Sequence, residues 1–110
     1  MLYVFEMANN HQGSVAHGKL IIKEFGELAA KNNITAAIKF QFRQLDTFIH
    51  TDFQQSDLKY VKRFNSTRLS KQQFAELIDF AKTMGLKTMA TPFDNESLVW
   101  FNELDVDIVK

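Results

Sequence analysis

Residues 70–92 read SKQQFAELIDFAKTMGLKTMATP, and a change of period inside this stretch decides the fold class. Ser70 with Gln73 three residues on is a capping-box pattern: each side chain satisfies a backbone N–H left unpaired at a helix start. Phe74, Leu77, Ile78 and Ala81 then recur at helical spacing and give the helix one apolar face. Gly85 stands where a left-handed residue closes a helix. Leu86 to Thr91 follows as a short run of strand length, stopped by Pro92. A helix that passes through one glycine into a strand is the repeating unit of an α/β protein.

The flanks repeat this alternation. Upstream, Ile38, Phe40 and Phe42 share one face of a strand beginning near Ile34, and Lys39, Gln41 and Arg43 share the other. Between Gln44 and Leu69 the pattern is poor; a connection of that length is usually functional or flexible. A short helix is expected within it over Lys59–Phe64. Near the N-terminus, Leu2 to Met7 reads as a buried strand, followed by a polar loop from Ala8 to Gly13. Ser14 caps a helix whose apolar stripe is Ile21, Phe25, Leu28 and Ala29. That helix ends at Lys31-Asn32-Asn33, where paired asparagines favour a turn. Downstream, Asp94 or Asn95 caps a short helix carrying Leu98, Phe101 and Leu104, and Val106 to Val109 begins a fourth strand. The order βαβαβαβ implies parallel strands joined by right-handed crossovers. A doubly wound open sheet and the first half of a closed barrel both satisfy it.

Composition narrows the classes. The chain has 110 residues, zero formal net charge and no cysteine. Balanced charge gives no reason to expect nucleic acid or an anionic membrane as partner. Without cysteine there is no disulfide framework or thiolate metal site. The apolar N-terminal run is interrupted at Glu6, too early for a signal peptide or a span of about 20 residues. A soluble, cytoplasmic protein is the expectation.

In α/β proteins chemistry gathers at the carboxyl ends of the strands. Here those ends carry Glu6, Lys39 with Gln41, Thr91 and Lys110. Charges set in buried strands are costly unless paired or turned towards a polar cavity. Two lysines, a threonine and a carboxylate brought together would make an anion site with an acid/base group beside it. Each residue taken alone also has a plainer reading: a strand-end lysine reaching solvent, an ordinary strand-end carboxylate, a threonine held extended by Pro92. His11 is one histidine in a polar loop, without a second at metal-ligand spacing.

Four motifs in order add a resemblance. Glu6-Met7-Ala8-Asn9-Asn10-His11-Gln12-Gly13-Ser14 resembles the first-strand motif of the sialic acid synthase family, a glutamate and spacer followed by Asn-His-x-Gly-Ser. Ile38-Lys39-Phe40-Gln41 is similar to its second-strand signature. Thr91-Pro92-Phe93-Asp94 with Glu96-Ser97 is similar to the third, and Asp107-Ile108-Val109-Lys110 to the stretch ending in the fourth-strand lysine. Two departures stand out. Ala8-Asn9 replaces the more usual Gly-hydrophobic pair, and Phe42-Arg43 follows Gln41 where threonine or histidine is frequent.

The resemblance implies the N-terminal half of a (β/α)8 TIM barrel over residues 1–110, in an enzyme condensing phosphoenolpyruvate with N-acetylmannosamine or a related amino sugar. It implies that Lys39, Thr91 and Lys110 hold the phosphate and carboxylate of phosphoenolpyruvate, and that Glu6 is the acid/base or charge-stabilising group. Gln41 would contact the sugar, and Asn10 and His11 would shape the floor of the site. A divalent metal, manganese or magnesium, is expected for the full-length enzyme on ligands outside this chain, as is a homodimer. A complete barrel needs about 250 residues, so the chain is expected to be truncated and inactive alone, its later strands and an antifreeze-like domain missing. Two other classes stay open: a non-catalytic α/β module of the response-receiver kind, which would want clustered acidic residues at its first strand end, and a phosphate-binding half-barrel without chemistry.

Overall fold

The computed structural model describes residues 1–48, 52 and 57–110. Its elements are β1 (Leu2–Ala8), α1 (Val15–Lys31), β2 (Thr35–Phe42), α2 (Leu45–Phe48), α3 (Lys59–Ser66), α4 (Lys71–Thr83), β3 (Lys87–Pro92), α5 (Asn95–Glu103) and β4 (Ile108–Val109). The expected helix near Lys59 is present as α3. The poorly patterned connection around it lies partly outside the described residues.

All neighbouring strands are parallel, and the order across the sheet is β1-β2-β3-β4. This order settles the choice the sequence leaves open. A doubly wound sheet reverses strand order at a switch point and carries helices on both faces. Here the order never reverses, and Ile22 and Ala29 of α1, Phe74, Leu77, Ile78 and Ala81 of α4, and Trp100 and Phe101 of α5 join one apolar cluster. Phe5, Ile38, Phe40, Phe42 and Ala90 meet them from the sheet. One-sided crossovers with sequential strands are the construction of the N-terminal half of a (β/α)8 barrel.

The best-patterned helix forms as its residues dictate. The Ser70 hydroxyl accepts from Gln73 N–H at 3.1 Å, and the Gln73 amide oxygen accepts from Ser70 N–H at 2.8 Å. Gly85 lies at φ +77° after the last turn. In α1 the buried face differs from the expected one: Leu28 is 46% exposed, while Gly18, Ile22, Gly26 and Ala29 are buried. The glycines explain the rotation. A Cβ at Gly18 would lie 2.8 Å from Leu77 Cδ2, and one at Gly26 would lie 2.9 Å from Met84 Cβ. Backbone, not side chain, makes this close approach between α1 and α4. Leu98 is also exposed, so α5 holds the sheet through Trp100, Phe101 and Leu104. The fourth strand is shorter than expected because Asp107 turns aside. Its carboxylate accepts from Thr88 N–H at 2.8 Å and from the Thr88 hydroxyl at 3.0 Å.

Gly13, in the β1–α1 loop, sits at φ +74°, and a Cβ there would lie 2.8 Å from the Ser66 carbonyl oxygen. Gly13→Ala is therefore expected to destabilise the fold by about 2 kcal/mol, from left-handed strain and backbone overlap together. Urea denaturation checks this; an unchanged midpoint would show that the loop does not pack on the end of α3.

Candidate functional site

Register decides which side chains meet. Glu6 pairs with Lys39, Lys39 with Met89 and Met89 with Ile108, so these four form a row across the sheet. One step towards the carboxyl ends, Gln41 pairs with Thr91. The Lys110 N–H donates to the Ala90 carbonyl at 3.0 Å, which carries the register on and sets Lys110 beside Thr91. Because strand side chains alternate, both rows point to the face away from the helices. Glu6, Lys39, Gln41, Thr91 and Lys110 thus lie on a single face, at the carboxyl ends of four strands. Lys39 and Lys110 are two strand spacings apart, about 10 Å of backbone.

The Lys39 ammonium is in ion-pair contact with the Glu6 carboxylate. The lysine is buried, whereas the Glu6 side chain is 53% exposed. The carboxylate can therefore swing off when an anion arrives, while the ammonium stays in place. Thr91 is half-buried and Lys110 is exposed. Lysine supplies a compact charge with three donors and threonine a neutral hydroxyl. Such a face can take an oxyanion and keep a carboxylate next to it for proton transfer.

The β1–α1 loop enters through an irregularity. Pairing shifts between Glu6 and Ala8, and Met7 turns into the core. Ala8 adopts φ +46°, a region that favours glycine, which accounts physically for glycine being more usual at this place in the resembling family. Asn10 is exposed on the loop. His11 is buried, its ring edge-on to Phe74 at 6.0 Å between centroids. Its Nδ1 accepts from Gly13 N–H at 3.1 Å, so the neutral ring carries its proton on Nε2.

Burial, aided by His17, lowers the His11 pKa from 6.5 to about 4. Below pH 6.5 the unfolded chain takes up a proton that the folded one refuses. Stability from this group is thus full above pH 6.5 and falls as pH drops towards 4, by about 3 kcal/mol in all. Denaturation at pH 7 and pH 4.5 should show this loss, and His11→Gln should flatten it. An equal acid loss in the variant would place the effect elsewhere.

Sequence reading set Arg43 on the face of Lys39 and Gln41 but gave it no role; it lies one residue past the end of β2. Its guanidinium carbon lies 4.1 Å from the ring centre of Phe93 and 4.8 Å from that of Phe64. Burial lowers its pKa. Arg43, Gln41 and His11 line a recess of about 40 Å³ to which Thr67 and Arg68, after α3, also contribute. Asp94 ties the segment after β2 to the start of α5, accepting from Gln44 N–H at 2.9 Å and from Ser97 N–H at 2.7 Å. Burial raises its pKa, but these bonds and one from the Ser97 hydroxyl outweigh that and hold it below the usual value. Among the described residues no group of three or more His, Asp or Glu side chains converges, so they do not fit a divalent metal. Nor is any described helix long and apolar enough to cross a membrane.

Known proteins share this architecture. An uncharacterised protein of Methanocaldococcus jannaschii is 32% identical over 101 residues, 92% of this chain and 27% of its own length. A structure from Chromobacterium violaceum, described as spore coat polysaccharide biosynthesis protein E, superposes with a TM-score of 0.93 at 42% identity, covering 98% of this chain and 32% of that one. An N-acetylneuraminic acid synthetase from Leptospira borgpetersenii shares the fold, with a TM-score of 0.76 at 24% identity over 98% of this chain and 34% of that one. The chain thus spans about a third or less of the length of these relatives. The sequence model of the NeuB family matches residues 28–110, and with these likenesses it establishes that the chain belongs to the NeuB family.

Proposed function

We propose that residues 1–110 are the N-terminal half of a synthase barrel that condenses phosphoenolpyruvate with N-acetylmannosamine or a related amino sugar, in surface polysaccharide biosynthesis. The observation that carries this reading is the gathering of Glu6, Lys39, Gln41, Thr91 and Lys110 on one sheet face. Lys39, Thr91 and Lys110 hold the phosphate and carboxylate of phosphoenolpyruvate. The incoming anion displaces Glu6 from Lys39 and leaves its carboxylate beside the reacting carbons as the acid/base group. Gln41 faces the sugar, and the Asn10–His11 loop shapes the floor. The enol carbon of phosphoenolpyruvate attacks the open-chain aldehyde, water adds at the neighbouring carbon, and phosphate leaves by C–O cleavage. The full-length enzyme is a cytoplasmic homodimer that uses manganese or magnesium, on ligands carried by later strands.

The chain alone is expected to bind phosphoenolpyruvate without turning it over. Purified chain is mixed with phosphoenolpyruvate, N-acetylmannosamine and manganese, with product assay and calorimetry in parallel. Binding heat without product is the expected result. Product formed at the rate of a full-length relative would overturn the half-barrel reading; absence of binding would overturn the site.

A further inference from the structure

Of the four strands, β4 has the least ladder to hold its register. It pairs with β3 at Met89–Ile108 and Ala90–Val109, whereas β2 and β3 pair all the way from Ala37–Lys87 to Phe42–Pro92. A slip of one residue would turn the side chains of β4 to the opposite face, Lys110 among them. Val106 is buried in the core just before the strand, but apolar contact has no direction and leaves the register open. Directed bonds close it from both ends. At one end the Lys110 N–H donates to Ala90; at the other stands Asp107. One oxygen of its carboxylate accepts from both the Thr88 N–H and the Thr88 hydroxyl, and the Asp107 N–H donates back to that hydroxyl at 3.1 Å. Asp107 and Thr88 thus meet one step before the Met89–Ile108 pair, in the same register. Thr88 is fully buried, so loss of the carboxylate would leave buried donors unpaired. The bond from the Thr88 N–H, helped by the Thr88 hydroxyl, Lys82 and Lys87, outweighs burial and holds the Asp107 carboxyl below its usual pKa. An ionised acceptor makes such bonds stronger than neutral ones.

Asp107 precedes Lys110 by three residues, about 10 Å of extended chain, and lies at the amino end of the strand. It therefore touches no ligand held at the carboxyl ends and acts only through the lysine. We propose that Asp107 is a positioning residue: by locking β4 to Thr88 it delivers Lys110 to its place beside Thr91, where the two hold the substrate anion. This rests on the function proposed above for that face. A bond that merely stabilised the fold would be felt equally at Lys39 and Lys110. A positioning bond is felt through Lys110 alone.

The test titrates phosphoenolpyruvate into the full 110-residue chain, followed by NMR so that weak affinities are read. The variants are Asp107→Ala, Lys110→Ala and Lys39→Ala, with Asp107→Ala also combined with each lysine change. Asp107→Ala should weaken binding about tenfold, the loss of one charge-assisted contact. On top of Lys110→Ala it should cost less than about twofold more, because the group it positions is already gone. On top of Lys39→Ala it should keep its full effect, as independent sites do. Asp107→Asn keeps an oxygen able to take both Thr88 bonds and should stay within about threefold of the unaltered chain. Hydrogen exchange without ligand gives a second readout: the Lys110 amide should exchange about tenfold faster in Asp107→Ala and near the unaltered rate in Asp107→Asn. Thr88→Val keeps the shape, removes two of the three bonds and takes the place of Asp107→Ala if that variant does not fold. Losses that add in the Lys110 double variant, or a Lys110 amide unchanged in Asp107→Ala, overturn the proposal. Failure of phosphoenolpyruvate to bind the unaltered chain would sink the proposed function instead, and the exchange rates would still show whether Asp107 holds Lys110 in place.

Discussion

Phe74→Ala is expected to destabilise the fold by about 4 kcal/mol, within the range for emptying an aromatic site in a core. Few residues join so many elements. Phe74 is 5% exposed, and its ring meets Phe42 at 5.0 Å, His11 at 6.0 Å, and Phe40 and Trp100 at 6.3 Å between centroids. Those partners belong to β2, the β1–α1 loop and α5, so the void would open where three elements meet. A domain of this size has a total stability of about 5–15 kcal/mol, and the variant would sit near its threshold. Phe74→Leu, which conserves more volume, should cost under about 2 kcal/mol. Chemical denaturation of both variants checks the pair. A loss under 1 kcal/mol for Phe74→Ala would mean that α4 does not close the core as described.

Lys39→Ala and Glu6→Gln are expected to move phosphoenolpyruvate affinity in opposite directions. The first removes the buried ammonium proposed to receive the anion and should weaken binding between about 10- and 150-fold, the value of a charge-assisted hydrogen bond. The second removes a negative charge that the incoming anion must displace, and should tighten binding by about a few-fold. Neither change should unfold the chain. Losing one member of a fully buried pair costs several kcal/mol, but Glu6 is half in water, which brings the cost nearer the 1 kcal/mol of surface pairs. Calorimetry on both variants reads the two signs together. Weakening in both would mean that Glu6 holds Lys39 in place and does not compete with substrate.

What the sequence made legible was local. The two-residue period of Thr35–Phe42 correctly separated Ile38, Phe40 and Phe42 from Lys39 and Gln41, because alternation is a property of the strand itself. Ser70, Gln73 and Gly85 marked both ends of α4 for the same reason. The sheet order was not legible, since strand neighbours depend on contacts between distant segments. Leu28 misled because apolar periodicity counts side chains, whereas the packed face of α1 is built on Gly18 and Gly26, which have none. The candidate site residues stood out as strand ends, but the pairing of Glu6 with Lys39 follows from an inter-strand register. Arg43 acquires its setting only when Phe64 and Phe93 arrive from remote parts of the chain. The lining of its recess comes partly from Thr67 and Arg68, in the stretch where the pattern was weakest.

Phosphoenolpyruvate titrated into isotopically labelled chain and followed by NMR gives the most direct measurement. The account predicts one saturable event that shifts the backbone signals of Lys39, Thr91 and Lys110 with a common affinity and vanishes in Lys39→Ala. Shifts confined to one of these strands, or an unchanged titration in the variant, would contradict it.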